Sequence, residues 1–175
     1  QRALELRREA IAMTEATVGP ESNPAAPARL GLCSSLAALG RYEDAATECG
    51  VAEKLYEKRH GPHHQATSVA RYNRVLGLRK SGRLDEAQAI VESEIERIET
   101  ITKGPSVDLA DTVESLGNVL LERERPQEAL EVFERAHRIR EEHFGDSPHP
   151  DFGYSWQAKG QAYEAMGSRQ QAIDA

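Results

Sequence analysis

Residues 116–144 read LGNVLLERERPQEALEVFERAHRIREEHF, and apolar residues recur at helical spacing on both sides of Glu124–Arg125–Pro126. Each side carries charged residues on its other face, as an amphipathic helix does. The apolar positions are Leu116, Val119, Leu120, Ala129, Val132, Phe133, Ala136 and Ile139. Proline is tolerated in the first turn of a helix, so Pro126 fits the start of the second one. The pattern predicts two helices folded back on each other, with Gly117 and Ala129 allowing a close approach of the two backbones.

The same turn recurs along the chain at a nearly constant spacing. It reads GRYEDA, GRLDEA, ERPQEA and GSRQQA, and the final alanines of these four turns are 42, 42 and 43 residues apart. A glycine that ends each second helix recurs with a similar period, as expected where the backbone must leave the helical conformation. A fixed period of tens of residues is typical of a solenoid, in which each hairpin buries its apolar stripes against its neighbours.

The small, turn and aromatic positions in LGNVL and PQEALEVFERA resemble the tetratricopeptide repeat (TPR). The period is longer than the usual ~34 residues and is similar to that of the variant in kinesin light chains. That variant lengthens the second helix and adds a loop that FGDSPHPDF, residues 144–152, closely resembles. The resemblance implies an all-α fold, a right-handed superhelical solenoid of antiparallel helix pairs with about eight helices and a C-terminal stub.

Aligned on the turns, the chain forms a single solenoid segment, residues 1–175. It comprises the second helix of a truncated repeat at 1–18, repeats at about 26–60, 66–103 and 107–144, and a partial repeat at 150–175. Since both ends fall inside a hairpin, we expect this segment to be part of a longer chain.

Composition and motifs argue against several function classes. With 22 Lys and Arg against 29 Asp and Glu the net charge is −7, which disfavours a nucleic-acid partner. No run approaches the ~18 apolar residues of a membrane span, so we expect a cytoplasmic protein with no membrane association. The sequence holds no HExxH, GxSxG, GxGxxG or phosphate-loop motif. His60, His63 and His64 are more simply a solvated loop than a metal site. We therefore expect no enzyme, no metal and no cofactor.

Cys33 and Cys49 are predicted to lie at similar height on two facing helices. Two cysteines do not make a disulfide framework. The simpler interpretation is a pair of reduced thiols that serve as small packing residues.

In TPR proteins the first helix of each repeat lines a concave groove, where extended peptides or partner helices dock. The resemblance assigns to this groove Val69, Tyr72, Asn73, Leu76, Arg79, Glu114, Asn118, Glu122, Tyr154, Gln157 and Gln161, with Leu30, Ser34 and Ala37 from the first complete repeat. Asn118 matches an asparagine that the family often uses to hold a ligand's backbone. For each of these residues, a merely solvated polar face is the alternative.

Arg71 and Arg74 occupy positions that are apolar in the family. Because two unpaired buried guanidinium groups would be too costly, they must reach solvent or pair with carboxylates such as Glu92, Glu94 or Glu96. Lys159 raises the same question.

The resemblance implies a non-catalytic scaffold for protein–protein interaction that binds a peptide or partner helix in the groove. Two alternatives remain open. The segment could be the sensor or adaptor region of a larger multidomain enzyme or ATPase regulator, or a repeat segment that self-associates through open solenoid ends.

Overall fold

The computed structural model describes residues 2–20, 22, 24–145 and 147–167. Over these residues the protein consists of eight α-helices and no strand. Helix-to-helix contacts divide the chain into two compact units, with the division between Arg83 and Leu84. We call them the N-terminal unit and the C-terminal unit.

The N-terminal unit contains four helices. They are α1 (Arg2–Val18), α2 (Ala25–Ala38), α3 (Tyr42–His60) and α4 (Gln65–Lys80). Within the unit, each of the first three packs on the next one along the chain, and α2 also lies beside α4. In the terms of the repeat, α2 and α4 are first helices, and α1 and α3 are second helices.

The C-terminal unit has the same succession of packed helices. They are α5 (Leu84–Thr102), α6 (Val107–Glu122), α7 (Pro126–Phe144) and α8 (Asp151–Ala165). Here α6 and α8 are first helices and lie beside each other. The C-terminal stub expected from the sequence falls at residues that the structure does not describe.

The α6–α7 pair confirms the helical hairpin predicted from residues 116–144. Ala129 and Phe133 are fully buried and belong to one apolar cluster with Leu120. A Cβ atom on Gly117 would lie 2.3 Å from Cε1 of Phe133. The glycine therefore makes room for an aromatic ring, whereas the sequence had suggested that it served the approach of the two backbones.

The turn between paired helices is built on a residue in the left-handed conformation. Gly40 and Gly82 have φ angles of 73° and 79° in the first two turns, and Glu124 has a φ of 60° at the same place in the third. Pro126 then begins α7 at its first turn, as predicted. Glycine adopts this conformation without the steric cost that a Cβ atom brings, so the third turn carries a local strain that the others avoid.

Cys33 and Cys49 form a disulfide between α2 and α3, with their Cα atoms 5.4 Å apart. The interpretation of these residues as reduced thiols is therefore wrong. The turn between α2 and α3 is short, so the two residues lie opposite each other. Their side chains are 1 % and 0 % exposed, within a cluster that includes Leu4, Ile11 and Leu36. Facing positions at this separation satisfy the geometry of a disulfide.

Candidate interaction surface

Helix α4 presents large apolar side chains to solvent. Val69 is 42 % exposed and Tyr72 is 63 % exposed, and Leu76 follows them on the same helix with partial exposure. Exposed hydrophobic residues that cluster in this way mark interaction sites more often than isolated ones do. The structure thus brings together the apolar part of the groove predicted for this repeat.

The polar residues predicted for α4 differ in how much of their hydrogen-bonding capacity is already used within the protein. The Asn73 side-chain amide donates a hydrogen bond to the Val69 carbonyl oxygen at 2.8 Å, so one of its donors is already used inside the helix. Arg79 is partly exposed and makes an interaction of its own. On the adjacent helix α2, Ser34 is exposed, and Leu30 and Ala37 are partly buried against the core of the unit.

In the C-terminal unit, Glu114 has a structural role. It accepts a bond of 2.6 Å from the guanidinium of Arg140, which also donates to Asp111 and to the Ser155 hydroxyl, each at 2.6 Å. Arg140 is only 2 % exposed. Burial alone would lower the pKa of Arg140, but the bonds to Glu114 and Asp111 raise it above its ordinary value. This arginine therefore ties α7 to α6 and α8, and Glu114 is held in that contact.

The remaining predicted groove residues of this unit lie on α6 and α8. Asn118 and Glu122 on α6 are partly buried, and Glu122 makes an interaction of its own. Tyr154 is 61 % exposed, and Gln157 and Gln161 follow it as exposed residues of α8. Trp156, at 43 % exposed, is the other large side chain of α8 that is open to solvent.

The buried Arg71 and the partly exposed Arg74 of α4 are paired through Glu53 on α3. The Glu53 carboxylate accepts a bond of 2.8 Å from Nε of Arg71 and one of 3.1 Å from Nη1 of Arg74. Pairing was one of the two alternatives given by the sequence, and Glu53 was not among the carboxylates named for it. Glu53 lies 18 residues before Arg71, on the second helix of the preceding repeat. The arginines thus fix α4 on α3 and leave its apolar face outward.

Arg140 was missed from the sequence, although its spacing gave a signal. It lies four residues after the buried Ala136 on α7 and continues the stripe of Ala129 and Phe133. A charged residue on an otherwise buried stripe requires a partner. The carboxylates of Asp111 and Glu114, on the preceding helix, are the partners it finds.

Lys159 lies over an aromatic ring. Its Nζ is 3.6 Å from the centre of the Trp156 ring, which in turn makes an edge contact with the imidazole of His137. Burial lowers the pKa of Lys159. Burial, and then the positive charge of Lys159, lower the pKa of His137, while Glu141 acts in the opposite direction. This cluster packs α8 on α7.

A metal site and a membrane-spanning helix each have a characteristic geometry. The described residues contain no group of three or more His, Cys, Asp or Glu side chains able to hold a metal ion. His60 and His64 instead stack on each other, with ring centres 4.3 Å apart. None of the described helices is both long and apolar enough to cross a bilayer.

Sequence comparison identifies the family. Models of the tetratricopeptide repeat match residues 69–142 and residues 26–49, which together make up more than half of the chain. The chain belongs to the TPR family. No curated protein matches it with significant similarity.

Solved structures of the same fold cover nearly all of the chain. The nearly identical TPR-like repeats of a candidate kinesin light chain from Podosopora anserina are 21 % identical, with a TM-score of 0.76, over 99 % of this chain and 82 % of that one. BtubC (BKLC) from P. vanneervenii is 19 % identical, with a TM-score of 0.72, over 99 % of this chain and 68 % of that one. The fold is the all-α TPR solenoid of the kinesin-light-chain type. This fold is typically a non-catalytic scaffold, and the family supports a role in protein interaction.

Proposed function

We propose that this protein is a non-catalytic scaffold that binds a peptide or helix of another protein on the exposed faces of its first helices. The observation that carries the proposal is the pair Val69 and Tyr72 on α4, large apolar side chains held in solvent beside α2. Aromatic side chains are common anchors in protein interfaces because they bury much area at a low entropic cost.

The surface is pre-formed, which favours binding. Glu53 holds two arginines of α4 against α3, so the opposite face of α4 is fixed before a partner arrives. A rigid surface loses little conformational freedom on binding, and less of the interaction energy is spent on ordering. The same reasoning applies to α8 and Tyr154, because Arg140 links Ser155 of that helix to α6 and α7.

A site-specific cross-linking experiment tests the proposal. A photoreactive phenylalanine analogue replaces Tyr72 in one variant and Lys54, an exposed residue of α3 in the same unit, in a control variant. Both are illuminated in an extract of the source cells, and the captured proteins are identified by mass spectrometry. We expect a protein that is captured from position 72 and not from position 54.

A second measurement connects the capture to binding energy. Tyr72→Ala should weaken binding of the captured protein by roughly tenfold or more, as the loss of a central aromatic anchor does, with unchanged circular dichroism. Capture from both positions alike, or unchanged affinity of Tyr72→Ala, would contradict a binding surface on α4.

Self-association is a second candidate, favoured by the exposed apolar residues of α1. Leu6 is 49 % exposed and Met13 is 70 % exposed, seven residues apart on one face of the helix. Sedimentation at several concentrations tests it, because Leu6→Lys with Met13→Lys should shift an oligomer toward monomer. A mass that is the same for both proteins at every concentration speaks against association through this face.

The predictions about nucleic-acid binding, the parent protein and the cellular location stay predictions. The acidic composition disfavours a nucleic-acid partner, and the sequence of the whole parent protein would decide whether a larger enzyme or ATPase regulator contains this segment. A cytoplasmic location would place the Cys33–Cys49 disulfide in a reducing environment, where structural disulfides are rare. The redox state of this bond therefore depends on the cellular location of the protein.

A further inference from the structure

The disulfide lies where another repeat places an ordinary apolar contact. Cys33 and Cys49 are 16 residues apart, and the corresponding residues of the α6–α7 pair, Gly117 and Phe133, have the same separation. There the Phe133 ring fills the space beside Gly117. The contact between the paired helices thus requires apolar volume rather than a covalent bond. Two thiols, which behave as small apolar groups, supply that volume as well.

The helix that the bond holds has little local stabilisation of its own. At 14 residues, α2 is the shortest of the described helices, and no side chain caps its N-terminus. Its interior contains Gly31, Ser34 and Ser35, residues that disfavour a helix relative to alanine or leucine. A cross-link to α3 restricts the unfolded state of this part of the chain and so adds stability that the local sequence of α2 does not supply.

Helix α1 contributes to the apolar cluster that contains the disulfide. Both sulfurs are buried in one cluster with Leu4 and Ile11, which are the two buried residues of α1. A further ion pair of 2.5 Å joins Glu15 of α1 to Arg29 of α2. Thiol–disulfide exchange requires direct attack on a sulfur atom, so movement of α1 away from this cluster should make the bond more accessible to a reductant.

We propose that the Cys33–Cys49 bond is a reversible redox lock on the α2–α3 pair, and that α1 controls the access of reductants to it. A dithiol reductant attacks one sulfur as a thiolate and forms a mixed disulfide. That first attack breaks the Cys33–Cys49 bond and releases the other cysteine as a thiolate, which takes up a proton. The second thiolate of the reagent then breaks the mixed disulfide, closes the ring of the oxidised reagent and releases the remaining cysteine. Oxidised glutathione reverses the change and leaves as two molecules of glutathione. The helices persist in both redox states because either the disulfide or two thiols can fill the contact between α2 and α3.

The role of α1 is tested by the rate of reduction in the whole chain. Samples in dithiothreitol are quenched with excess N-ethylmaleimide, and the modified cysteines are counted by mass spectrometry. Ile11→Ala removes one of the two side chains that hold α1, and we expect roughly tenfold or faster reduction. Met13→Ala, on the exposed face of the same helix, should change the rate by less than about twofold.

A milder variant keeps this test decisive. Glu15→Gln weakens the ion pair with Arg29 without opening a cavity, and should also accelerate reduction, by less than Ile11→Ala does. If Ile11→Ala loses helicity, Glu15→Gln decides the question. Rates in Ile11→Ala and Glu15→Gln that equal the wild-type rate would overturn the control by α1.

The lock itself is tested by thermal unfolding monitored by circular dichroism. The protein is measured before reduction, after reduction, and after reoxidation with oxidised glutathione. We expect unchanged helicity at room temperature and a Tm lowered by about 6–12 °C in the reduced protein, with recovery on reoxidation. The control Cys33→Val/Cys49→Val copies Val75 and Val91, the residues at these positions in the next repeat, and should not respond to dithiothreitol. An unchanged Tm, or unfolding at room temperature on reduction, would overturn the lock.

Discussion

Gly117→Ala is expected to destabilise the C-terminal unit, although alanine is the better residue for a helix. The added Cβ atom would meet three carbon atoms of the Phe133 ring at 2.3, 2.6 and 2.8 Å, more than 0.5 Å inside the 3.4 Å where ordinary contact begins. Phe133 is fully buried, so the ring has no free space to enter. Overpacking of this kind costs about 1–3 kcal/mol.

The helix propensity acts in the opposite direction. Replacing glycine by alanine in a helix interior stabilises by about 1 kcal/mol, so the expected net loss is about 0–2 kcal/mol. Gly153→Ala is the matched control, because a Cβ atom there meets nothing within 4 Å. That variant should gain stability, by no more than about 1 kcal/mol so near the start of α8.

The stability of both variants is measured by urea unfolding, monitored through the fluorescence of Trp156. This residue is the only tryptophan of the chain and lies in the same unit as Gly117. In the double variant Gly117→Ala/Phe133→Leu the smaller side chain makes room for the Cβ atom, so the combined loss should be less than the sum of the two single losses. A Gly117→Ala protein that gains stability as Gly153→Ala does would refute the contact between Gly117 and Phe133.

Three further predictions concern the same unit. Ala129→Glu places a charge at a fully buried helix contact and should abolish cooperative unfolding of α6 and α7 in circular dichroism, whereas an unchanged melt would refute the register of the hairpin. Glu124→Gly relieves a left-handed φ of 60° and should raise stability by about 0.5–1 kcal/mol in urea unfolding; a loss of stability would show that the Glu124 side chain contributes more than its backbone costs. Because burial and Lys159 lower the pKa of His137 in the folded state, the unfolded chain binds this proton more readily, and stability should fall as the pH drops below about 6.5. His137→Gln should flatten the change in urea midpoint between about pH 7.5 and 5.5.

The helices and their pairing could be predicted because their causes are local and repeated. The small Ala129, the turn before Pro126 and the apolar stripes on either side all act within one hairpin, and each recurs near the same period. The exposure of Val69 and Tyr72 on α4 also followed from position in the repeat.

The contacts that distinguish one repeat from another could not be predicted in the same way. The pairing of Arg71 with Glu53, and of Arg140 with Asp111 and Glu114, depends on which side chains meet between helices. The period gives the helix faces but not the choice among several nearby carboxylates. The disulfide was missed for a related reason, since facing positions permit either two thiols or one bond and composition favoured thiols.

The buried ion pairs also address a problem that every repeat protein has. Equivalent helices have similar apolar faces, so a helix could pack on the wrong neighbour at little cost. Arg29, Arg71 and Val113 occupy equivalent positions in three successive repeats. Arg29 pairs with Glu48, whereas Arg71 pairs with Glu53. A mispaired helix would bury one of these charges alone, at a cost of several kcal/mol.

We infer that these ion pairs determine which helices pack together more than they raise the free energy of unfolding. A variant with apolar residues at Glu53, Arg71 and Arg74 should then keep its urea midpoint but show more than one set of amide resonances, and a single set with an unchanged midpoint would exclude this role.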